Sequence, residues 1–584
     1  MEKDKEVSFR DLFVPFTTRK TIIFIILAGF ILYFFGLFNG FVGDDNTQIL
    51  GNPAISSFWN LPSFFFENRL QIGGISKLGG LYYKPLLDAS YLLIYSLFGP
   101  VSFPFHLFQT VIFISNAILV FLFLKTFFPK QISFILSFLF LIHPINSEVV
   151  LYIADTQDVL FFFFGMIALL IVTKYHSHKA LIASGIFLLL SLFSKETGIL
   201  FTFACLLYVF IFKRRIVYKY FGYALASLSI YALFRIHAVG IFTNVMTNAP
   251  VGRLTFWVRV INIPSIFLFY IKTFFLPTSL SGSWQWAYKN INFANFFVPI
   301  FLDLLFIFVL GIVGFFIYKR GQKKNLVIYT FFAVWLGVGL FFHMQIFPLD
   351  QTAAERWFYF PIVGLIGMIG VLASIIKVKS KWIFSIVVIL FLLLFVRTFA
   401  RSLDFRDDLT LALHDNSVSA TYNSEYIISH TYYMMGRLKE AKIHAERSVE
   451  LFPYITNYTN LGAIDSRLGD YEGAKSAYLS ALKYGDDKLP YENLSSLSLV
   501  YGNPSKNIDF IKKSLKKYPE DAVLWFNLAI LEYKYANKSE ALMDIKKAKS
   551  HVGNSNIGFV EYIILNNKSL DLKVKDGGVT FYTY

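Results

Sequence analysis

Long runs of apolar residues, separated by short polar breaks, fill the chain from about residue 21 to residue 399. About 20 apolar residues are enough for a helix to cross the hydrocarbon core of a bilayer. The pattern therefore predicts membrane-spanning helices at 21–38, 104–125, 131–142, 157–174, 180–194, 198–212, 217–238, 297–318, 325–346, 357–376 and 382–399.

Two further apolar stretches, 82–98 and 258–277, contain residues that disturb or polarise a helix. The first holds Lys84, Pro85 and Asp88, and the second holds Arg259, Asn262 and Pro264. Such residues favour interfacial or re-entrant helices over complete spans. The pattern thus predicts an all-α membrane body of about eleven spans.

After Arg401 the sequence becomes charged, rich in asparagine and periodic. From about Tyr422 a pattern of small and large residues returns with a period of about 34, which is typical of tetratricopeptide repeats. A helical bundle without repeats does not explain this spacing. About four stacked helix pairs should form a short superhelix with a concave face for peptide or protein. The predicted plan is a cytoplasmic segment 1–20, a multi-span domain 21–400, a linker helix 401–420, repeats 421–565 and a tail 566–584. One unit shows the pattern at Tyr458, Leu461, Gly462, Ala474, Tyr478 and Ala481.

The net charge of +16 lies largely in short breaks between apolar runs. Positive charge in such breaks marks the cytoplasmic side of a membrane protein, and this distribution makes a nucleic-acid-binding face the weaker interpretation. The first span has no small-residue cleavage site, so we expect it to be retained. With two incomplete spans, the N-terminus lies in the cytoplasm and the repeats outside. The basic breaks hold Lys125 and Lys130; Lys174 and Lys179; Lys213, Arg214, Arg215 and Lys219; Lys319, Arg320, Lys323 and Lys324; and Lys377, Lys379 and Lys381.

The breaks on the opposite side carry the chemistry-bearing residues. Ionisable groups at membrane depth cost about 2.5–3.5 kcal/mol each on insertion scales and usually line a cavity. One shared extracytoplasmic cavity is therefore expected. Its residues come from segments 43–46, 143–155, 194–196 and 355–356.

These segments, in order and followed by repeats, resemble the transmembrane and tetratricopeptide repeat-containing O-mannosyltransferases of the GT-C superfamily. The sequence departs from the family at Lys84, where the family has arginine, and at 154–158, which lacks a family arginine. The repeat array is also short. The resemblance rests on FVGDD at 41–45 with Asn52-Pro53, YKPL at 83–86, HPINSEV at 143–149, SKETG at 194–198 and ERWFYFP at 355–361.

The resemblance implies inverting transfer of a mannose-like hexose from a polyprenyl or dolichyl phosphate to an acceptor hydroxyl. Asp44 and Asp45 would be the catalytic carboxylates, since the acceptor must lose a proton as it attacks. Lys84, Lys195 and Arg356 would bind the donor phosphate and stabilise its developing charge. A guanidinium suits a pair of phosphate oxygens, which makes Arg356 the strongest candidate.

Each of these residues also has a structural alternative. The aspartates could cap a helix, Lys84 could extend to the membrane interface, and Arg356 could pair with Glu355 or Asp350. His143 could be structural or could orient Glu148. We expect sugar or acceptor binding from His143, Glu148, Asp155, Glu196 and Trp284, the last of which could instead be an ordinary interfacial tryptophan.

No metal ligands and no certain cofactor are predicted, and a divalent cation bound by Glu148, Asp155 or Glu196 is the alternative. The expected partners are a lipid-phosphate-linked sugar, membrane lipid and a protein or peptide acceptor on the repeats, without nucleic acid. Two other functions stay open: glycosylation of a lipid-linked or cell-wall glycan, and a non-catalytic membrane-anchored scaffold. The expected location is the plasma membrane of a bacterium or the endoplasmic reticulum of a eukaryote.

Overall fold

The computed structural model of the protein describes residues 17–67, 83–240, 249–376, 381–552, 555–575 and 578–582. The chain divides into two compact units, Met1–Ser419 and Ala420–Tyr584. Both are built from helices, and the described residues contain a single pair of strands near the C-terminus. The predicted all-α fold class is confirmed.

The first unit is a bundle of apolar helices, and each of the eleven predicted spans coincides with one of them. Among the described residues, seven helices are long and apolar enough to cross a membrane, or eight if the pair bent by 53° at residue 143 counts as one span. Some predicted spans are shorter than this criterion requires, such as α1 with 16 residues. The helices are α1 (Thr18–Tyr33), α2 (Pro85–Phe98), α3 (Ser102–Leu124), α4 (Lys130–Ile142), α5 (Thr156–Lys174), α6 (His178–Ser194), α7 (Ile199–Phe212), α8 (Val217–Val239), α9 (Phe256–Phe275), α10 (Val298–Lys319), α11 (Lys323–Phe341), α12 (Pro361–Ile375) and α13 (Lys381–Asp404), followed by α14 (Asp408–Val418).

Helix α9 is long and apolar enough to be a span by itself. Hydrogen bonds nevertheless connect both the start and the finish of α9 to the polar end of the bundle. Near its start, the Arg259 guanidinium donates to the carbonyls of Gln345 and Ile346. Near its finish, the Phe274 carbonyl contacts the His143 ring. Gln345 and Ile346 follow the end of α11, and His143 follows the end of α4, so both contacts lie just beyond helix ends. The incomplete crossing of α9 stays a prediction.

The basic breaks meet at the opposite end of the bundle. The Lys125 ammonium donates to the Thr18 hydroxyl over 2.9 Å, which joins this break to the start of α1. Thr126 and Lys324, from two different breaks, line one cavity of about 340 Å³ together with Phe212 at the end of α7. The structure therefore separates a basic end from a polar end. Lys377 and Lys379, like residues 1–16, lie outside the described residues.

The described residues of the second unit contain four successive helix pairs, as the 34-residue period predicts. A methyl group on Gly462 would lie 2.6 Å from the Tyr478 ring, so the absent side chain lets the two helices of that pair approach. A last helix and an antiparallel hairpin, which the sequence pattern did not predict, follow the repeats. The pairs are α15 (Tyr422–Met434) with α16 (Leu438–Leu451), α17 (Ile455–Leu468) with α18 (Tyr471–Ala481), α19 (Lys488–Leu497) with α20 (Pro504–Lys517), and α21 (Ala522–Tyr535) with α22 (Lys538–His551); α23 (Ser555–Leu565), β1 (Asp571–Lys575) and β2 (Gly578–Tyr582) complete the chain.

Candidate active site

A largely buried segment, residues 143–158, forms the centre of the candidate site and comprises the connection from α4 to α5 and the first turn of α5. Proline restrains the residue before it to extended backbone, and α4 accordingly ends at Ile142, before His143 and Pro144. Three short helical turns follow: Pro144–Asn146, Ser147–Leu151 and Ile153–Asp155. They direct several acidic side chains into the polar end of the bundle.

The predicted aspartate pair contacts this segment, and its two members have different environments. Asp45 is fully buried, and its carboxylate accepts from the backbone N–H groups of Val42 (3.1 Å) and Ala154 (2.6 Å). Burial raises the pKa of the Asp45 carboxyl well above its usual range, and these two donors oppose the shift. Asp44 is exposed, and its N–H donates to the Tyr152 hydroxyl over 2.8 Å. Asp45 therefore braces the loop, and Asp44 presents its carboxylate outward.

Arg356 pairs with carboxylates of the central segment. Its backbone N–H donates to Glu148 over 2.9 Å, and its guanidinium donates to the other oxygen of the same carboxylate. The Arg356 Nε lies 3.5 Å from an Asp155 oxygen. The alternative suggested by the sequence was a pairing of Arg356 with Glu355 or Asp350. The observed partners are instead Glu148 and Asp155, which are both predicted site residues. One terminal nitrogen of the guanidinium makes no hydrogen bond within the described part of the chain.

Lys195 lies in a second buried ion pair. Its ammonium contacts both carboxylate oxygens of Asp158, at 2.7 and 2.8 Å. Asp158 was not among the predicted site residues, although it closes the same segment as Asp155. Buried charges are expected to be paired, so an acidic partner for Lys195 on the facing helix could have been anticipated.

Lys84 precedes Pro85, the first residue of α2, and only 8% of its surface is exposed. Its neighbour Tyr83 packs against Phe193 and Tyr231, with ring centroids 6.3 and 5.9 Å apart. This packing brings Lys84 toward the start of the break that carries Lys195. Burial of the lysine disfavours the alternative in which it merely extends to the membrane interface.

His143 lies in a structural position. One ring nitrogen contacts the Phe274 carbonyl at 2.9 Å, and the other accepts from the Ile145 N–H at 3.2 Å. The ring also stacks on Phe274, with centroids 4.9 Å apart. These contacts favour the structural alternative, since Arg356 rather than His143 holds Glu148. Glu196 is half-buried and follows Lys195 directly.

Trp284 connects the aromatic loop to the cluster. Its indole N–H donates to Glu355 over 3.4 Å, and its ring packs on Phe269 and Trp286. Burial, opposed mainly by the charge of Arg401, raises the pKa of Glu355 to about 8. One oxygen of this buried carboxyl has no hydrogen-bond partner among the described residues. The loop therefore offers an aromatic surface beside a protonatable group.

The predicted linker, residues 401–420, also contacts the loops of this site, and the sequence analysis did not predict these contacts. Asp408 accepts from the Gly43 N–H over 2.6 Å, and Asp415 accepts from the Gly282 N–H over 3.0 Å. Arg401 is fully buried beside Asp404 and Asp415. The sequence signal here is an arginine at the end of an apolar run, followed within a few residues by several aspartates.

Among the described residues, no three His, Cys, Asp or Glu side chains converge as ligands of one ion. The described site combines the exposed carboxylate of Asp44 with two buried cation–carboxylate pairs.

Comparison with known proteins supports the resemblance seen in the motifs. The family model described as dolichyl-phosphate-mannose-protein mannosyltransferase matches residues 85–239, a region that contains the 143–149 and 194–198 motifs. Protein O-mannosyl-transferase TMTC3 of Mus musculus is 30% identical over 145 residues, covering 24% of this chain and 15% of the mouse protein. The chain thus matches a small part of that relative's length, and it resembles the family over this region.

The solved structures that match this chain resemble it only weakly in sequence and in fold. ArnT from Cupriavidus metallidurans, in a crystal structure with undecaprenyl phosphate, gives a TM-score of 0.34 at 13% identity, covering 96% of this chain and 97% of that chain. The tetratricopeptide-repeat domain of P58(IPK) gives a TM-score of 0.18 at 12% identity, covering 68% of this chain and 96% of that chain.

Proposed function

We propose that this protein is a GT-C membrane glycosyltransferase that moves a mannose-like hexose from a polyprenyl phosphate to an acceptor hydroxyl. The observation that carries the proposal is the exposed Asp44, whose loop is hydrogen-bonded to the segment that pairs with the buried cations. Asp45 joins its loop to Ala154, and the adjoining Asp155 lies beside Arg356. An acceptor base and a phosphate-binding arginine thereby share one end of the bundle.

The proposed reaction is a single displacement. The acceptor oxygen attacks the anomeric carbon, the Asp44 carboxylate takes the hydroxyl proton, and the bond from that carbon to the phosphate oxygen breaks. The leaving phosphate keeps the bonding electrons, so its charge grows in the transition state. Preorganised cations stabilise such charge without having to reorganise during the reaction. Arg356 has a guanidinium nitrogen available for this contact, and Lys195 contributes the second positive charge.

The ion pairs give the two cations fixed positions. Glu148 holds Arg356 through both its backbone and its side chain, and Asp158 holds Lys195 through both carboxylate oxygens. These carboxylates also offset the charges of the two cations, which lowers the cost of burying them. A phosphate would bind to positioned donors rather than to mobile side chains.

A protein serine or threonine is the proposed acceptor, and mannose is the proposed sugar. The description of the matching family and the name of the mouse relative both support protein O-mannosylation. Helical repeats commonly bind peptides on their concave face. We propose that the repeats lie outside the cytoplasm and present the acceptor to the site.

The test uses the purified full-length protein in nanodiscs, with mannosyl-phosphoryl-polyprenol as donor and a serine- and threonine-rich peptide as acceptor. Asp44→Asn keeps the shape of the side chain but cannot take the proton, so transfer should be abolished and donor binding retained. Glu67→Gln, which alters an exposed carboxylate of the same outer loop, is the matched control and should transfer normally. Full activity of Asp44→Asn would exclude Asp44 as the base. No transfer by the wild-type protein would favour the scaffold alternative.

A further inference from the structure

Residues 401–418, named here the strap, connect the last helix of the bundle to the repeats and pack on the candidate site. The Arg406 carbonyl accepts from the Gly40 N–H over 2.9 Å, which is a backbone contact to the loop before Asp44. Further along the strap, Asp408 and Asp415 contact two different loops. A linker that only joined two units would not need these contacts.

Asp408 has the most direct contact with the catalytic loop. Its carboxylate accepts from the Gly43 N–H over 2.6 Å through one oxygen and from the Asn46 side-chain amide over 2.9 Å through the other. The two donors flank Asp44 on either side. A carboxylate accepting from two fixed donors restrains both of them at once, and bonds to a charged acceptor are stronger than neutral ones.

Gly43 shows why this loop depends on an external restraint. Its φ of +53° lies in the left-handed region, which a glycine adopts readily but does not prefer over other conformations. A Cβ at this position would also lie 2.9 Å from the Tyr152 hydroxyl. The conformation of the loop that exposes Asp44 is therefore stabilised by hydrogen bonds. Asp408 accepts one of them from Gly43, before Asp44, and one from Asn46, after it.

The other end of the strap holds the aromatic loop. Arg401 is fully buried, and its guanidinium lies 3.1 Å from Asp404 and 3.5 Å from Asp415. Asp415 in turn accepts from the Gly282 N–H, close to Trp284. The strap thus contacts the loops on both sides of the buried cluster.

We propose that the strap is a positioning element of the active site, and that Asp408 holds the Asp44 loop in its reactive conformation. Asp408 is a positioning residue, since it acts through the backbone of Gly43 and the side chain of Asn46. This inference rests on the proposed function of Asp44 as the acceptor base. It also gives the chain next to the repeats a direct part in the chemistry.

The test compares Asp408→Asn with Asp407→Asn in the full-length protein. Asn at 408 offers one acceptor oxygen to two donors, so the loop loses a restraint. Asp407 caps α14 through the Thr410 N–H and is half-exposed, and asparagine caps a helix about as well as aspartate. Both variants thus change the same charge at neighbouring positions, and only the first changes the contact to the loop.

Two readouts are measured on each variant. Small displacements of a catalytic group can cost about 100-fold in rate, so kcat of Asp408→Asn should fall by about that factor with little change in KM for the donor lipid. Hydrogen exchange at the amides of residues 43–46 should become faster in Asp408→Asn and stay unchanged in Asp407→Asn. Asp408→Glu, which keeps both acceptor oxygens, should recover part of the rate.

The exchange measurement separates this inference from the proposed function, because it needs no turnover. Unchanged exchange at residues 43–46 in Asp408→Asn would overturn the strap proposal even if the rate fell. A wild-type protein that transfers no sugar, with faster exchange in Asp408→Asn, would overturn the proposed function and leave the strap as a loop restraint. A loss of kcat that Asp407→Asn shares equally would also overturn the role of Asp408.

Discussion

The pair formed by Glu148 and Arg356 gives the most demanding test of the buried cluster. Glu148 is 1% exposed and accepts from both the backbone and the guanidinium of Arg356. Glu148→Gln keeps the size of the side chain but removes the charge and turns one acceptor oxygen into a donor. The Arg356 guanidinium then faces an amide donor, and its nearest negative partner is lost.

The expected loss of stability follows from the Arg356 charge, which stays buried after its partner is removed. Removing one partner of a buried ion pair costs about 3–5 kcal/mol, because the other charge stays buried and uncompensated. Asp155 still lies 3.5 Å from the Arg356 Nε and retains part of the compensation. We therefore expect a destabilisation near the lower end of this range, about 3 kcal/mol.

The assay is reversible unfolding in a fixed detergent, followed for Glu148→Gln, Arg356→Gln and the double variant. Neighbouring residues typically show coupling energies of about 0.5–3 kcal/mol. The double variant should therefore be clearly more stable than the sum of the two single losses predicts. Glu67→Gln, an exposed carboxylate, should shift stability by less than about 0.5 kcal/mol. Additive losses would refute the pairing, and a Glu148→Gln variant as stable as the wild type would refute the burial argument.

Two further predictions address the topology and the repeats. Cysteines introduced at Lys323 and at Asp470 should label from opposite sides of the membrane, with only Asp470→Cys accessible from outside; cytoplasmic labelling of both would contradict the proposed sidedness. Gly462→Val should destabilise the repeat unit by about 1–3 kcal/mol, because its side chain would overlap the Tyr478 ring, which lies 2.6 Å from an ideal Cβ. Thermal unfolding followed by circular dichroism measures this loss, with Gly469→Asn, at an open helix end with φ of +84°, as a tolerated control.

Much of the fold could be predicted because it depends on periodic features. Apolar runs located the helices of the bundle, and the positions of Gly462 and Tyr478 located a repeat pair. The polar breaks also came together at one end, as the distribution of charge predicted. The β1–β2 hairpin was missed although β1 carries a strand signal, because residues 571–575 alternate between polar and apolar side chains.

The pairing of charges could not be predicted from the sequence alone. Glu148 and Arg356 lie 208 positions apart, and Lys195 finds its partner on a different helix. Proximity of this kind depends on how the helices pack, which no local pattern specifies. The strap was missed for a related reason: a charged segment after an apolar span has the composition of a solvated linker, and its contacts to Gly43 and Gly282 are not specified by any local pattern.

The long separation between Glu148 and Arg356 has a consequence for biosynthesis. A ribosome delivers Glu148 to the membrane well before Arg356 is synthesised. Glu148 is therefore without its cationic partner while several later helices insert. During that interval the carboxyl group is less costly to bury when it is protonated. The contacts of the site are complete only after Arg356 and then Asp408 have been synthesised, near the end of the first unit. A chain that ends before residue 408 therefore lacks the two hydrogen bonds by which Asp408 restrains the loop at residues 43–46.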